Sequence, residues 1–227
     1  VYNTFSYHFT PAGFMADFGA RALGCAVFPA GIGQTELQVQ TIAEIRPDVY
    51  TGTPSFLKIL LEKGRELGLD LSSLKRGIVG GEALLPSARQ LFQEHNIDIK
   101  QTYATADVGL IAYETIPDDG LIIDEEALVE IVRPGSDDLV ADGEVGEVVV
   151  TIFSKIYPLI RFGTGDLSMF IPGASNCGRT NRRLKGWMGR ADQTTKVKGM
   201  FVHPEQVNAI IKRHQQIQYA QLIVEHD

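Results

Sequence analysis

Apolar positions fall into two rhythms along the chain. From Pro11 to His95, stretches with apolar residues three and four apart alternate with short apolar runs. Pro11–Leu23 reads as a helix that opens near a proline and stops at Gly24. Cys25–Phe28 suits a short buried strand, Gln34–Arg46 a helix with Val39, Ile42 and Ile45 on one face, and Asp48–Thr51 a strand. Ser55–Leu67 reads as a helix that turns Phe56, Leu57, Leu60 and Leu61 to a core, and Arg76–Gly80 as a strand. Pro86 opens a helix with Ala88, Leu91 and Phe92 on one face and His95 at its end, and Ile97–Tyr103 is again a strand. Strand and helix in this alternation predict an α/β fold, a doubly wound, mostly parallel sheet with helices on both faces.

Beyond Leu110 the period shortens. Leu121–Asp124, Ala127–Arg133, Val145–Ile152 and Pro158–Phe162 read as short strands, with turns at Gly135, Asp137-Asp138 and Asp142-Gly143. Partial alternation over Glu144–Val150 predicts a half-exposed, β-rich subdomain, against which Trp187 is expected to pack. Gln193–Lys198 and Tyr219–Val224 read as further strands. Pro204 opens a helix with Val207, Ile210, Ile211 and His214 on one face.

The 227 residues are 44% hydrophobic and 22% charged, a globular composition with ample material for a core. A net charge of −7 argues against nucleic acid as a partner, since such proteins present a basic face. Cys25 and Cys177 lie far apart, which predicts no disulfide framework and a reducing cytoplasm. Cys177-Gly178 reads as a turn rather than as a zinc ligand. No apolar run reaches membrane-spanning length, so no membrane partner is expected.

Candidate chemistry concentrates between Arg161 and Gly199. Thr164-Gly165-Asp166 places a carboxylate beside a glycine turn, where it could accept hydrogen bonds from two adjacent hydroxyls such as those of a ribose. Two ordinary glycine turns between strands would give the same bare pattern. Cys177-Gly178-Arg179-Thr180, Gly189-Arg190-Ala191-Asp192, Lys196-Val197-Lys198-Gly199 and Phe201-Val202-His203-Pro204-Glu205 follow. Taken together, and over nearly all of the chain, these runs resemble the adenylate-forming enzymes, and within them the phenylacetate–coenzyme A ligase family.

The resemblance implies roles residue by residue. Asp166 would hold the ribose of ATP, Arg190 would lie beside the nucleotide, Asp192 would be the hinge to a small C-terminal domain, and Lys196 would continue the run after it. Gly80-Gly81-Glu82 leaves a strand without side chains that would block a planar base, and the family uses this loop for adenine. Tyr103-Ala104-Thr105-Ala106-Asp107 matches the family's next motif in part. Tyr103 would stack on adenine, Ala104 and Thr105 would border the nucleotide, and Asp107 would help to hold Mg²⁺, unless it is a helix N-cap. Ala106 stands where the family has a hydroxyl, with Thr105 one place earlier, and Gly163 stands where it has arginine. Tyr7 and Phe9 would line an aryl pocket for the acid, unless they are core residues.

The resemblance further implies residues 1–110 as the nucleotide- and acyl-binding part of a large domain, 111–190 as the β-rich subdomain, and 191–227 as the hinge and the start of a small α+β domain. ATP, Mg²⁺ and coenzyme A are the implied cofactors, a small carboxylic acid the implied partner, and a homodimer is compatible. The chain opens on Val1 and contains neither the phosphate loop nor the terminal lysine of the family, so it is expected to be the middle of a longer ligase. Two rivals remain: an adenylating enzyme that acylates a protein thiol or carrier, and a non-catalytic nucleotide- or acyl-binding module.

Overall fold

The computed structural model describes residues 1–193, 195–197, 200–202, 204–214, 216–217 and 219–223. These form two compact units, which divide between Pro117 and Asp118. The first unit is a mixed α/β body. Its strands are β1 (Tyr2–Asn3), β2 (Phe28–Pro29), β3 (Val49–Gly52), β4 (Arg76–Val79), β5 (Asp98–Thr105) and β6 (Gly109–Glu114). They lie in the order β2-β1-β3-β4-β5-β6, parallel except for the antiparallel β5–β6 pair. The helices are α1 (Ala12–Ala22), α2 (Thr35–Ile45), α3 (Pro54–Leu67) and α4 (Pro86–Glu94).

Local chemistry explains the clearest of these elements. Thr53 caps α3 by accepting the Phe56 N–H at 3.3 Å, Pro54 occupies the first turn, and Gly68 ends the helix with a φ of +65°. Leu57, Leu60 and Leu61 of α3 join Val39 and Ile42 of α2, Phe92 of α4, and Tyr2, Tyr50, Val79 and Ile99 of the sheet in one core. Ile45, expected on the inward face of α2, is exposed, because it ends the helix as the chain turns out at Arg46. Cys25–Phe28 is not a buried strand: only Phe28 and Pro29 pair, at the edge of the unit's sheet, and both are exposed. A two-residue edge strand with one neighbour has little to bury it.

A buried ion pair ties α4 to the sheet. Arg89 Nη2 lies 2.6 Å from Glu114 Oε1, Glu114 Oε2 accepts the Gln101 N–H at 3.0 Å, and Arg89 Nη1 donates to the Ile99 carbonyl at 3.3 Å.

Three tyrosines make this unit sensitive to alkali. Burial pushes the Tyr2 phenol from 10.0 up to about 12. Burial, followed by the nearby charge of Asp17, does the same for Tyr7, and burial raises Tyr50 as well. The unfolded chain ionises near the ordinary value, so the folded state holds these protons over a window in which the unfolded state releases them. Stability from this source is full below pH ~10 and is lost as the pH rises from ~10 toward ~12. Denaturant unfolding followed by far-UV dichroism is expected to show a midpoint that falls steadily over that window, with ionisation of Tyr2, Tyr7 and Tyr50, followed by residue-resolved NMR, rising together with unfolding. Ionisation of these three phenols near pH 10 in the still-folded unit would contradict it.

The second unit is mostly antiparallel. Its strands are β7 (Leu121–Ile123), β8 (Ala127–Val132), β9 (Gly146–Ile152), β10 (Phe162–Ser168), β11 (Phe170–Ile171), β12 (Arg183–Leu184), β13 (Thr195–Val197) and β14 (Met200–Val202), followed by α5 (Pro204–Arg213). β8, β9 and β10 form a meander, β12 pairs with both β7 and β11, and β13 with β14 makes a hairpin. A salt bridge of 2.5 Å between the buried Arg183 and Asp119 anchors β12, and Asp119 also accepts from Ser175 Oγ at 2.8 Å. The Ser175 hydroxyl, and then Asn176 and Arg183, hold the Asp119 carboxyl below the usual range.

Two expected strands differ. Residues 158–161 are irregular and the strand starts at Phe162. Residues 219–223 carry no strand, having no paired partner among the described residues, and Val224 lies outside them.

Candidate active site

In an open parallel sheet, ligands gather beyond the carboxyl ends of the strands. In the first unit three of the expected site segments lie there. β1 runs into the Phe5–Thr10 loop, β4 into Gly80-Gly81-Glu82, and β5 into the turn that holds Asp107. Gly80 is buried, and a Cβ there would stand 2.7 Å from Thr102 Oγ1, so strand packing by itself demands glycine. Gly81 has a φ of +77°, and the exposed Glu82 accepts a 2.8 Å hydrogen bond from Ser55 Oγ at the start of α3.

The Tyr103–Asp107 segment is differently built from the expectation. β5 continues through Ala104 to Thr105, and Ala106-Asp107-Val108 forms the tight turn into β6, with Thr105 opposite Gly109. Asp107 therefore caps no helix; it is exposed at a hairpin tip. Thr105 Oγ1 accepts the Val108 N–H at 3.1 Å and so closes the turn. Tyr103 is half-buried within the strand.

Tyr7 and Phe9 part company. The Tyr7 hydroxyl accepts from the Asn3 amide at 2.8 Å and donates to Asp17 at 3.2 Å, while its ring meets Phe14 edge-on at 5.1 Å. Phe9 is fully exposed with a φ of +53°, unusual for an aromatic residue.

In the second unit the Thr164-Gly165-Asp166 run is a bulge within a strand. The β9–β10 register shifts between Gly163 and Leu167, and Gly165 has a φ of +72°, a conformation that favours glycine; a Cβ there would also lie 2.5 Å from Arg190 Nη2 and push the guanidinium aside. The bulge turns Asp166 out of the ladder. The Asp166 N–H donates to Thr164 Oγ1 at 3.1 Å, Thr164 Oγ1 donates to the Val148 carbonyl at 2.9 Å, and the Gly165 N–H donates to Glu147 Oε1 at 3.2 Å. Asp166 Oδ1 accepts from Arg190 Nη1 and from Trp187 Nε1, each at 3.1 Å. Arg190 Nη1 also reaches the Thr164 carbonyl at 3.1 Å, and Arg190 Nε lies 3.7 Å from the exposed Asp192.

The second unit thus brings Asp166, Arg190 and Asp192 together. Lys196 lies in β13, and its side chain is not among those described; Lys198, Gly199 and His203 lie outside the described residues. Sequence reasoning missed two contributors. Trp187 is half-exposed rather than packed inward, and its indole N–H goes to Asp166. Glu147 supports the bulge, a role hinted at only by an acid beside the apolar run Val148–Val150. Gly163 faces Glu147 and opens onto a cavity of about 320 Å³ that Arg161, Asp137, Val132 and Val149 also line. Arg161, turned there by a φ of +50°, pairs with Glu130 at 3.0 Å.

The arrangement can present a fixed carboxylate, flanked by a cation and an indole, to a hydroxylated ligand. The donor set for Mg²⁺ is narrower: Asp107 offers a single exposed carboxylate, and no group of three or more acidic, histidine or cysteine side chains gathers among the described residues. One hard oxygen fits an ion that keeps most of its water and is held chiefly by phosphates.

Residues 3–152 match the model of the AMP-binding enzyme family. The chain is 33% identical to a phenylacetate–coenzyme A ligase from Aromatoleum evansii, over 93% of this chain and 49% of that protein. It is 32% identical to the phenylacetate–coenzyme A ligase of Escherichia coli K12, over 96% of this chain and 51% of that protein. Among solved structures, it resembles 2-hydroxyisobutyryl-CoA ligase in an open conformation with 2-HIB-AMP and CoA, with a TM-score of 0.81 and 25% identity over 93% of this chain and 49% of that one. The chain therefore spans about half the length of the curated relatives it matches.

Proposed function

Because the chain belongs to the AMP-binding enzyme family, we propose that the whole protein is an ATP-dependent acyl-CoA ligase of the phenylacetate–coenzyme A ligase kind. The observation that carries this reading is the Asp166 carboxylate, presented on a bulged strand and held at 3.1 Å by both Arg190 and Trp187. An ionised acceptor locked in this way is suited to a vicinal diol.

In the proposed reaction a carboxylate oxygen of the acid attacks the α-phosphorus of ATP. The bond to pyrophosphate breaks, and an acyl-adenylate forms. The thiol of coenzyme A then attacks the acyl carbon, loses its proton and expels AMP. Asp166 holds the ribose, Arg190 lies beside the nucleotide, and Asp192 is the pivot between the two half-reactions. Within the first unit, Gly80, Gly81, Glu82, Tyr103, Ala104 and Thr105 are assigned to the nucleotide, and Tyr7 and Phe9 to the acid. Asp107 is the residue that would hold Mg²⁺, whose charge would stabilise the phosphates when bound.

Among the described residues no helix is long and apolar enough to cross a membrane. The test is a panel of aryl and aliphatic acids assayed for pyrophosphate release and for the CoA thioester. An aryl acid that gives both in proportion is the expected result. Pyrophosphate release with acylation only of a carrier protein would favour the carrier-loading alternative, and no release with any acid would leave the binding-module alternative.

A further inference from the structure

We propose that Trp187 is a positioning residue that sets the preference for ribose by orienting Asp166; this rests on the reading of Asp166 as the ribose acceptor. The backbone around Asp166 is already held. The Leu167 N–H donates to the Gly189 carbonyl at 2.8 Å, the Met188 N–H donates to the Leu167 carbonyl at 2.9 Å, and the Asp166 N–H is bound to Thr164 Oγ1. What remains is the rotation of the carboxylate about its own axis, a soft torsion with a broad minimum.

Two donors converge on Oδ1, and they are unequal. Arg190 is a long, flexible side chain whose Nη1 is shared between Asp166 and the Thr164 carbonyl, while its Nε faces Asp192 at 3.7 Å. Any displacement of the segment around Asp192 pulls on that guanidinium. The indole of Trp187 is rigid beyond two side-chain torsions and rides on the backbone that pairs with Leu167. At 46% exposure the ring owes its place little to burial, and its polar edge is spent on Asp166. Trp187 therefore keeps the carboxylate aimed when Arg190 moves.

The experiment measures kcat/KM for acyl-adenylate formation by the whole ligase with ATP, 2′-deoxy-ATP and 3′-deoxy-ATP. The parent enzyme is expected to prefer ATP. Trp187→Phe, which keeps the ring and deletes the N–H, is expected to lower kcat/KM for ATP roughly tenfold, mainly through KM, and to leave the deoxynucleotides nearly unchanged. Trp187→His, which restores a ring N–H, is expected to recover part of the preference. A purely structural role would lower all three nucleotides together. If Trp187→Phe keeps the full preference for ATP, the positioning role is wrong while the ribose reading stands. If the parent shows no preference and Asp166→Ala leaves its rates unchanged, the ribose reading fails and takes this proposal with it.

Discussion

Asp166→Ala is expected to lower acyl-adenylate formation by roughly 10²–10⁴-fold. A carboxylate that accepts from both ribose hydroxyls makes two charge-assisted hydrogen bonds, each worth about 1.5–3 kcal/mol, and the alanine variant loses both. It also leaves Arg190 and Trp187 without the acceptor they share. The effect on folding should be small by comparison, since Arg190 is partly exposed and such pairs contribute little to stability. Pyrophosphate release measured on the whole protein, beside a thermal melt, separates the two effects. Asp166→Asn keeps the shape without the charge and should fall between parent and alanine. Pyrophosphate release by the alanine variant at the parent rate would falsify the ribose assignment.

The largest expected stability effect lies elsewhere, at Glu114. Its carboxylate is buried, paired with Arg89 at 2.6 Å and bound by the Gln101 N–H at 3.0 Å. Removing one member of a buried ion pair leaves the other charge uncompensated, at a cost of about 3–5 kcal/mol. Glu114→Ala should therefore destabilise the first unit by that amount. The chain has one tryptophan, Trp187, which lies in the second unit, so its fluorescence is the wrong probe. Amide hydrogen exchange at Ile78 and Ile99, on β4 and β5, reads the first unit directly. Protection there should drop by roughly 10²–10³-fold or more. The double variant Arg89→Met/Glu114→Leu should recover most of it, because a well-packed apolar pair removes the stranded charge. A loss below about 1 kcal/mol in Glu114→Ala would mean that the pair is solvated after all.

The helices were the most legible part of the chain. α3 carries an apolar stripe, a capping threonine, a proline in its first turn and a closing glycine, and each signal acts within a few residues. The strands were less so. β6 was not anticipated, because its hairpin turn, Ala106-Asp107-Val108, carries one glycine signal, Gly109 at a φ of +87°, and a single glycine among turn residues marks a hairpin weakly in sequence. Cys25–Phe28 has the composition of a buried strand and occupies an exposed edge, since burial depends on neighbours that composition does not name.

By itself, the chain's order of residues determined the alternation of strand and helix, the glycine that the bulge at position 165 requires, and the spacing between Asp166 and Arg190. Those properties are local, or follow from matching several short runs together. Only the tertiary structure decided that Arg190 and Trp187 reach the same carboxylate oxygen, that Glu147 supports the bulge, and that Arg89 and Glu114 pair beneath α4. Each of these contacts joins residues 18 to 25 positions apart. Strand register and side-chain direction bring them within 3.2 Å, and neither is written in any single stretch of sequence.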